Sequence, residues 1–190
     1  DAAAKLANVF GIPITEVESL GDAINTLGNN MAAKEKEIVA AMLRIGGSAK
    51  QFGLAEEQAA SLAAAFIALG KPPEVAATAI NALLMKLQTA EGQGQKFQDG
   101  LAVMGLSAKQ LAADIHANPQ QALSAFLTKL KDLDEQQRSM VTMQLFGAEY
   151  SDDSSLLVEG LETYQDALDL THDKTATAGA MQEEFEARMA

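Results

Sequence analysis

The short motif GKPPE contains the glycine–lysine pair that occurs in phosphate-binding loops. Such a loop also needs an earlier glycine, where this chain has Ala65, and a serine or threonine, where it has Pro72. Proline has no N–H group to offer to a phosphate. We therefore interpret Gly70, Lys71, Pro72 and Pro73 as the hinge of a helical hairpin, in which glycine ends one helix and a proline starts the next.

Two further patterns point to ligand chemistry and are incomplete. Gly92 and Gly94 begin a dinucleotide fingerprint, but its third glycine would fall at Phe97 and no strand is predicted before it. His116 and His172 have no carboxylate or second histidine at metal-ligand spacing on their own helix faces. We predict no cofactor and no metal ligand from these residues.

Acidic residues supply two more candidates. Glu18–Ser19 matches the Glu–Ser pair of some cell-wall lytic domains, but the later Gly–x–x–Gln elements and aromatic residues of a sugar-binding surface are missing. Glu149, Asp152 and Asp153 lack the alternating ladder of a calcium loop, and acids in the first turn of a helix are ordinary partners of its dipole. We predict no catalytic residue and no enzymatic activity.

Composition limits the classes of partner. The 190 residues have a net charge of −12, are 48% hydrophobic and include no cysteine. Residues 1–150 carry 16 acids and 12 bases, whereas residues 151–190 carry 10 acids and 2 bases. We expect no direct nucleic-acid binding, because that requires lysine and arginine side chains to neutralise the phosphates. The change in charge suggests a helical core module over 1–150 and an acidic helical extension over 151–190.

Apolar residues recur at helical spacing almost throughout, and strand alternation is nearly absent. We predict an all-α fold, a compact module of about nine or ten short-to-medium helices with a longer acidic helical C-terminal part. Gly46–Gly47 and Gly147 are expected to end helices. The expected N-caps and helix starts are Ser107, Asn118–Pro119, Asp134 and Ser151. The apolar stripe of the last helix is expected at Met181, Phe185 and Met189.

The hairpin around GKPPE consists of two alanine-rich, apolar segments. Its longest uncharged run, Gln58–Gly70, has 13 residues and would span about 20 Å as a helix, short of a membrane core of about 30 Å. We predict that its apolar side chains form a packing face, used within the domain and between copies: Leu62, Phe66, Leu69, Ile80, Leu83, Leu84 and Leu87.

Three stretches, read in order, resemble the core region of phage tail tape measure proteins: NNMAAKEKEIVAAMLRIGGSAKQFGL, EEQAASLAAAFIALGKPPEVAATAINALLMKLQTA and NPQQALSAFLTKLKDLDEQQRSMVTMQLFGAEYSDD. The resemblance extends from about Thr15 to about Leu170, and its specificity lies in the order and spacing of the stretches. Many members have a glycine-rich turn between the hairpin helices, where this chain has Lys71–Pro72–Pro73.

The resemblance implies a structural virion protein of a long-tailed phage or prophage, which sets tail length during assembly and occupies the tail tube before DNA ejection. It implies as partners other copies of the chain, in a homo-oligomer, and tail tube or tail assembly proteins. It implies a location in the tube lumen, and in the host cytoplasm during assembly. The chain starts at Asp1 and ends in a helical pattern, so we expect a segment of a longer protein.

An alternative function is a membrane-active helical hairpin or channel-forming segment at the host envelope, and membrane contact is expected only at infection. The polar faces of the candidate helices carry Glu and Gln rather than Lys and Arg, which favours burial in a core or an oligomer. A second alternative, an enzyme acting on the cell wall, would require the lytic elements that are missing around Glu18.

Overall fold

The protein's structure, a computed structural model, describes residues 1–172 and 186–189, and every regular element within these ranges is helical. The predicted all-α fold is confirmed. The predicted last helix, with Met181 and Phe185, lies mostly outside the described residues. Residues 1–172 form ten α-helices: α1 (Ala2–Phe10), α2 (Val17–Asn30), α3 (Glu35–Phe52), α4 (Glu56–Ala68), α5 (Pro73–Gln88), α6 (Gln95–Val103), α7 (Ala108–Ala117), α8 (Pro119–Asp132), α9 (Glu135–Glu159) and α10 (Leu161–His172).

Side-chain caps start three of these helices where the sequence predicts them. Ser107, Asn118 and Asp134 each accept a hydrogen bond from the backbone N–H three residues further on, at 2.9–3.1 Å. Pro119 occupies the first position of α8, where its missing N–H group costs nothing. These local signals therefore fix the starts of α7, α8 and α9.

The prediction that Gly46–Gly47 ends a helix is wrong, because α3 continues through both residues to Phe52. A Cβ atom at Gly46 would overlap Cγ1 of Val9, on α1, whereas one at Gly47 would meet nothing within 4 Å. A glycine inside a helix costs about 0.5–1 kcal/mol relative to alanine. At Gly46 this cost permits the close approach of α1 to α3.

The prediction that Ser151 caps a new helix is also wrong, since Ser151 is buried inside α9. The break lies earlier, at Gly147, whose φ of 72° and ψ of 176° are not helical. A positive φ of this kind is accessible to glycine at little cost. Helix α9 therefore consists of two helical segments that meet in a kink at Gly147.

Helix α4 lies at the centre of the molecule. Its residues from Ala59 to Ile67 are all buried, so it is enclosed on every side. Helices α2, α3, α5 and α10 pack against it. A helix that is apolar all round is typical of a buried element, and small alanine side chains let neighbouring helices approach closely.

The remaining helices form a shell around this centre. Helix α5 packs against α3, α4, α7 and α9, while α9 also contacts α6 and α8. The rings of Phe126 on α8 and Phe146 on α9 meet edge to face, with centroids 6.3 Å apart. This arrangement places α5, α6 and α9 side by side at one surface of the protein.

The acidic C-terminal part contributes to the same core. Leu157, Leu161 and Tyr164 are buried, and α10 packs on α2 and α4. The hydroxyl of Ser61 on α4 lies 2.8 Å from that of Thr171 on α10. The boundary proposed near residue 150 falls within α9, just after its kink.

Candidate functional site

The hinge residues lie between α4 and α5. Gly70 adopts a φ of 102°, and the N–H group of Lys71 donates to the carbonyl oxygen of Phe66 at 3.1 Å. Pro72 is extended, and Pro73 is the first residue of α5. Glycine thus provides the left-handed position that ends α4, while two prolines direct the chain into the next helix.

The hinge is tied to the kinked helix by an ion pair. The ammonium group of Lys71 lies 2.8 Å from a carboxylate oxygen of Asp153 in the second segment of α9. The two side chains are 30% and 17% exposed, so the pair is partly shielded from water. Sequence reasoning missed this pair, because nothing local connects residues so far apart in the chain.

The ion pair gives a structural explanation for one residue in each of two sequence motifs, GKPPE and the acidic cluster of Glu149, Asp152 and Asp153. Lys71, the lysine of the apparent phosphate motif, is engaged with a carboxylate, and the following Pro72 offers no N–H group. Asp153, one of the three clustered acids, is the residue that holds the lysine. Among the described residues no group of three histidine, cysteine or carboxylate side chains is arranged to hold a metal ion.

The predicted packing face lies almost entirely inside the chain. Leu62, Phe66, Ile80, Leu83, Leu84 and Leu87 are buried, each at most 2% exposed. Leu69 is half-buried and lies against Gly160, where an added Cβ atom would collide with its side chain. Helices of the same chain cover this face, so a contact between copies would require other surfaces.

The other sequence candidates are dispersed over the surface. His116 and His172 are exposed and border different shallow grooves, near Phe52 and near Leu168 respectively. Glu18 is exposed in the first turn of α2, as a carboxylate near a helix N-terminus commonly is. The structure therefore brings none of them together into one site.

A groove that sequence reasoning missed lies where α5, α6 and α9 meet. It encloses about 750 Å³, and Phe97, Met140, Met143 and Leu145 supply apolar side chains to its lining. Lys86 from α5 also lines it. The sequence patterns predict no role for the two methionines, and their exposure depends on how α9 is placed against α6.

Helix length and apolarity also bear on the membrane alternative. No helix in the described part of the chain is both long and apolar enough to cross a bilayer.

Comparison with known proteins decides the family. The family model described as phage-related minor tail protein matches residues 1–147. The chain belongs to this family. The chain is also 28% identical over 167 residues to a probable tape measure protein of Halomonas phage phiHAP-1. That alignment covers 88% of this chain and 19% of the relative. No solved structure matches the chain.

Family membership makes the chain part of a structural protein of the phage tail, and the virion is its location. The predicted resemblance to tape measure proteins is confirmed by the alignment over most of the chain. In a structural tail protein the surfaces of interest are those that can contact other chains. Of the surfaces described above, the groove between α5, α6 and α9 has the most apolar lining exposed to such contact.

Proposed function

We propose that the chain is a compact helical module of a tape measure protein, which sets tail length during assembly and occupies the tail tube before DNA ejection. The observation that supports this most is the alignment with a probable tape measure protein over 88% of the chain. The chain spans about a fifth of that relative's length. The length-setting function would therefore reside in the whole protein rather than in these residues alone.

The helix lengths support the role of a module rather than of a rod. A single helix of 172 residues would extend about 258 Å. The longest described helix, α9, has 25 residues and is kinked at Gly147. We propose that this module folds compactly, and that the acidic extension from residue 151 leads toward the rest of a longer chain.

The proposed partners follow from the same role. The module would contact other copies of itself and tail tube or tail assembly proteins, and it would be present in the host cytoplasm while tails assemble. It would have no enzymatic activity, because the phage tail family to which it belongs is structural. Tail assembly requires contact surfaces rather than a catalytic centre.

Protease protection of the virion tests the location in the tube. Intact particles of the phage that encodes this chain are treated with protease, before and after triggered DNA ejection, and its peptides are identified by mass spectrometry. We expect the chain to be protected before ejection and cleaved afterwards, while a protein on the outside of the tail is cleaved in both samples. Cleavage of the chain in intact particles would contradict the proposal.

Tail length tests the modular role. Residues 1–172 are deleted in frame from the full-length protein, and tails are measured by electron microscopy beside those of a complete gene deletion. We expect the complete deletion to abolish tails of uniform length. The in-frame deletion should shorten tails by much less than the roughly 258 Å of an extended helix. Shortening by that full length would show that these residues are extended in the tail.

A further inference from the structure

The groove between α5, α6 and α9 combines an apolar lining with exposed methionines. Met140 and Met143 are 52% and 49% exposed. Val75 and Met85 on α5 and Val103 on α6 are exposed as well, so these three helices carry five of the seven large exposed hydrophobic side chains among the described residues, and Met140 and Met143 are the two that line the groove. Clustered exposed apolar side chains mark interaction sites, and the flexible methionine side chain adapts to different partners.

The charge around the groove is the opposite of that of the whole chain. The net charge is −12, yet none of the described residues that line the groove is acidic. Two lysines, Lys86 and Lys96, line it, and neither has an ion-pair partner among the described residues. The groove is thus a basic and apolar site on an acidic protein.

Backbone groups add to the positive potential. Helix α6 starts at the groove with Gly94 as its N-cap, without a side-chain cap and without an acid in its first turn. The second segment of α9 starts there too, after Gly147. The first N–H groups of a helical segment have no carbonyl partner one turn earlier and carry partial positive charge. The start of α6 therefore favours a carboxylate nearby, whereas the segment after Gly147 already has Glu149 in its first turn.

The wall of the groove also contains an unsatisfied polar atom. The Oε1 atom of Gln144 is buried and has no hydrogen-bond donor among the described residues. Buried polar atoms in folded proteins usually have a partner. Because the protein encloses this atom, a bound chain would supply the missing donor only if the Gln144 side chain turned toward the groove.

We propose that this groove binds an acidic amphipathic helix of another polypeptide segment. Apolar side chains on one face of that helix insert between Phe97, Met140 and Met143. Its carboxylates lie beside Lys86 and Lys96 and the start of α6. A helix suits the site because it presents apolar residues on one face and acids along the edges of that face.

Binding of synthetic peptides to the 190-residue chain tests the proposal. The probe is a fluorescent amphipathic helix with leucines on one face and glutamates on the other. A second peptide has lysines in place of the glutamates, and a third has the composition of the probe in scrambled order. We expect the acidic amphipathic helix to bind more tightly than the other two, and its affinity to fall with added salt.

Paired charge reversals locate the site. The variant Lys86→Glu/Lys96→Glu should weaken binding of the acidic helix about tenfold or more, because two attractive charges become repulsive. The control, Lys109→Glu/Lys129→Glu, makes the same charge change at exposed positions that do not line the groove, and should bind as the unmodified chain does. Circular dichroism and thermal unfolding verify that both variants remain folded.

A variant that changes only the apolar lining tests the contribution of apolar contacts to binding. Met140→Ser/Met143→Ser keeps both lysines and should also weaken binding, since it removes exposed apolar contacts without emptying the core. Equal affinity of the two lysine variants for the acidic helix would overturn the proposal, as would tighter binding of the lysine peptide. Binding of anionic lipid vesicles in preference to the acidic helix would assign the groove to a lipid surface and overturn it too.

Discussion

The ammonium group of Lys71 lies 2.8 Å from a carboxylate oxygen of Asp153, and this ion pair joins the turn between α4 and α5 to the second segment of α9. The turn is constrained on the backbone as well, by the positive φ of Gly70 and by two successive prolines. The backbone and the ion pair therefore both constrain the hinge between the hairpin helices.

The first prediction concerns the strength of this ion pair. In a double-mutant cycle with Lys71→Met and Asp153→Asn, we expect a coupling free energy of about 0.5–1 kcal/mol at low salt. A partly shielded pair is stronger than a fully exposed one but still weakened by water. Urea unfolding of the four proteins, followed by circular dichroism, measures it, and the coupling should decrease as salt is added.

A second ion pair provides the control. The Nη2 atom of Arg44 lies 4.0 Å from the Oε1 atom of Glu74, and the two side chains are 55% and 63% exposed. Their coupling should be about 0.2 kcal/mol or less, because long exposed side chains lose entropy on pairing. Coupling at Lys71–Asp153 no larger than in this control would show that the hinge is not fixed by the ion pair.

The second prediction concerns Leu84, which the sequence placed on a face shared between copies. Leu84 is fully buried by helices of its own chain. Leu84→Asp should lower the free energy of unfolding by about 3–5 kcal/mol, because it removes an apolar side chain and buries a charge. Met85→Asp, at the next position, should have little effect, since Met85 is 61% exposed.

Unfolding at two protein concentrations separates packing within the chain from packing between copies. We expect Leu84→Asp to lower the urea midpoint by the same amount at both concentrations, because a core within one chain contributes to stability independently of any contact between copies. A midpoint that rises with concentration, together with a smaller oligomer for Leu84→Asp in sedimentation, would mean that copies pack through this face after all.

Local chemistry explains which parts of the fold the sequence could predict. Helix caps such as Ser107 and Asp134 act within three residues, so they are visible in the sequence. The enclosure of α4 by four helices is not local, although the uncharged run Gln58–Gly70 was a signal for a helix buried on all sides. Alanine is compatible with a helix surface that faces solvent, a partner chain or the core. The periodicity of alanine in the sequence does not distinguish these three environments.

The groove was beyond sequence reasoning for the same reason. Met140 and Met143 have the spacing of a core stripe, but the first segment of α9 turns them outward. The buried side chains of this segment are Val141, Thr142, Leu145 and Phe146 instead. Glycine was ambiguous in a comparable way, since Gly46 marks a close contact between helices while Gly147 marks a kink.

The third prediction separates the two adjacent glycines of α3. Gly46→Ala should destabilise the fold by about 1–3 kcal/mol, because the new methyl group overlaps the side chain of Val9 and displaces α1. Gly47→Ala should stabilise it by up to about 1 kcal/mol, since the added methyl group has open space and alanine favours the helix. Thermal unfolding of both variants measures the difference.

A compensating change tests the cause. Val9→Ala removes the overlapping methyl groups, so the double variant Gly46→Ala/Val9→Ala should recover stability relative to Gly46→Ala alone. Limited proteolysis of Gly46→Ala should cut first around α1. If Gly46→Ala is as stable as Gly47→Ala, the two helices are not in close contact at this position.

The fourth prediction rests on the two tyrosines of the chain, Tyr150 and Tyr164. Tyr164 is fully buried, and its hydroxyl oxygen accepts a hydrogen bond from the side-chain amide of Gln120 at 2.8 Å. Burial raises the pKa of Tyr164 strongly, because the phenolate loses its hydration. The pKa of Tyr150, which is partly buried, is raised mainly by the neighbouring carboxylate of Glu149.

The sign of the pH dependence follows from the raised pKa of Tyr164. The folded state keeps this tyrosine protonated more strongly than the unfolded state does, so its contribution to stability is complete below pH ~10 and declines as the pH rises above that value. The decline should approach about 1.4 kcal/mol per pH unit from this residue. Tyr164→Phe should remove that component, although it costs about 1 kcal/mol at neutral pH through the lost hydrogen bond.

Tyrosinate absorbance and circular dichroism, recorded together through an alkaline titration, measure this coupling. In Tyr150→Phe, which leaves only Tyr164, we expect the tyrosinate signal to appear together with the loss of helical signal, because Tyr164 ionises only when its surroundings open. In Tyr164→Phe, Tyr150 should ionise while the helices remain intact, since Tyr150 is only partly buried. Ionisation of Tyr164 in a protein that stays fully helical would show that water reaches its hydroxyl group in the folded state, and that α10 is packed less tightly on the core than its burial indicates.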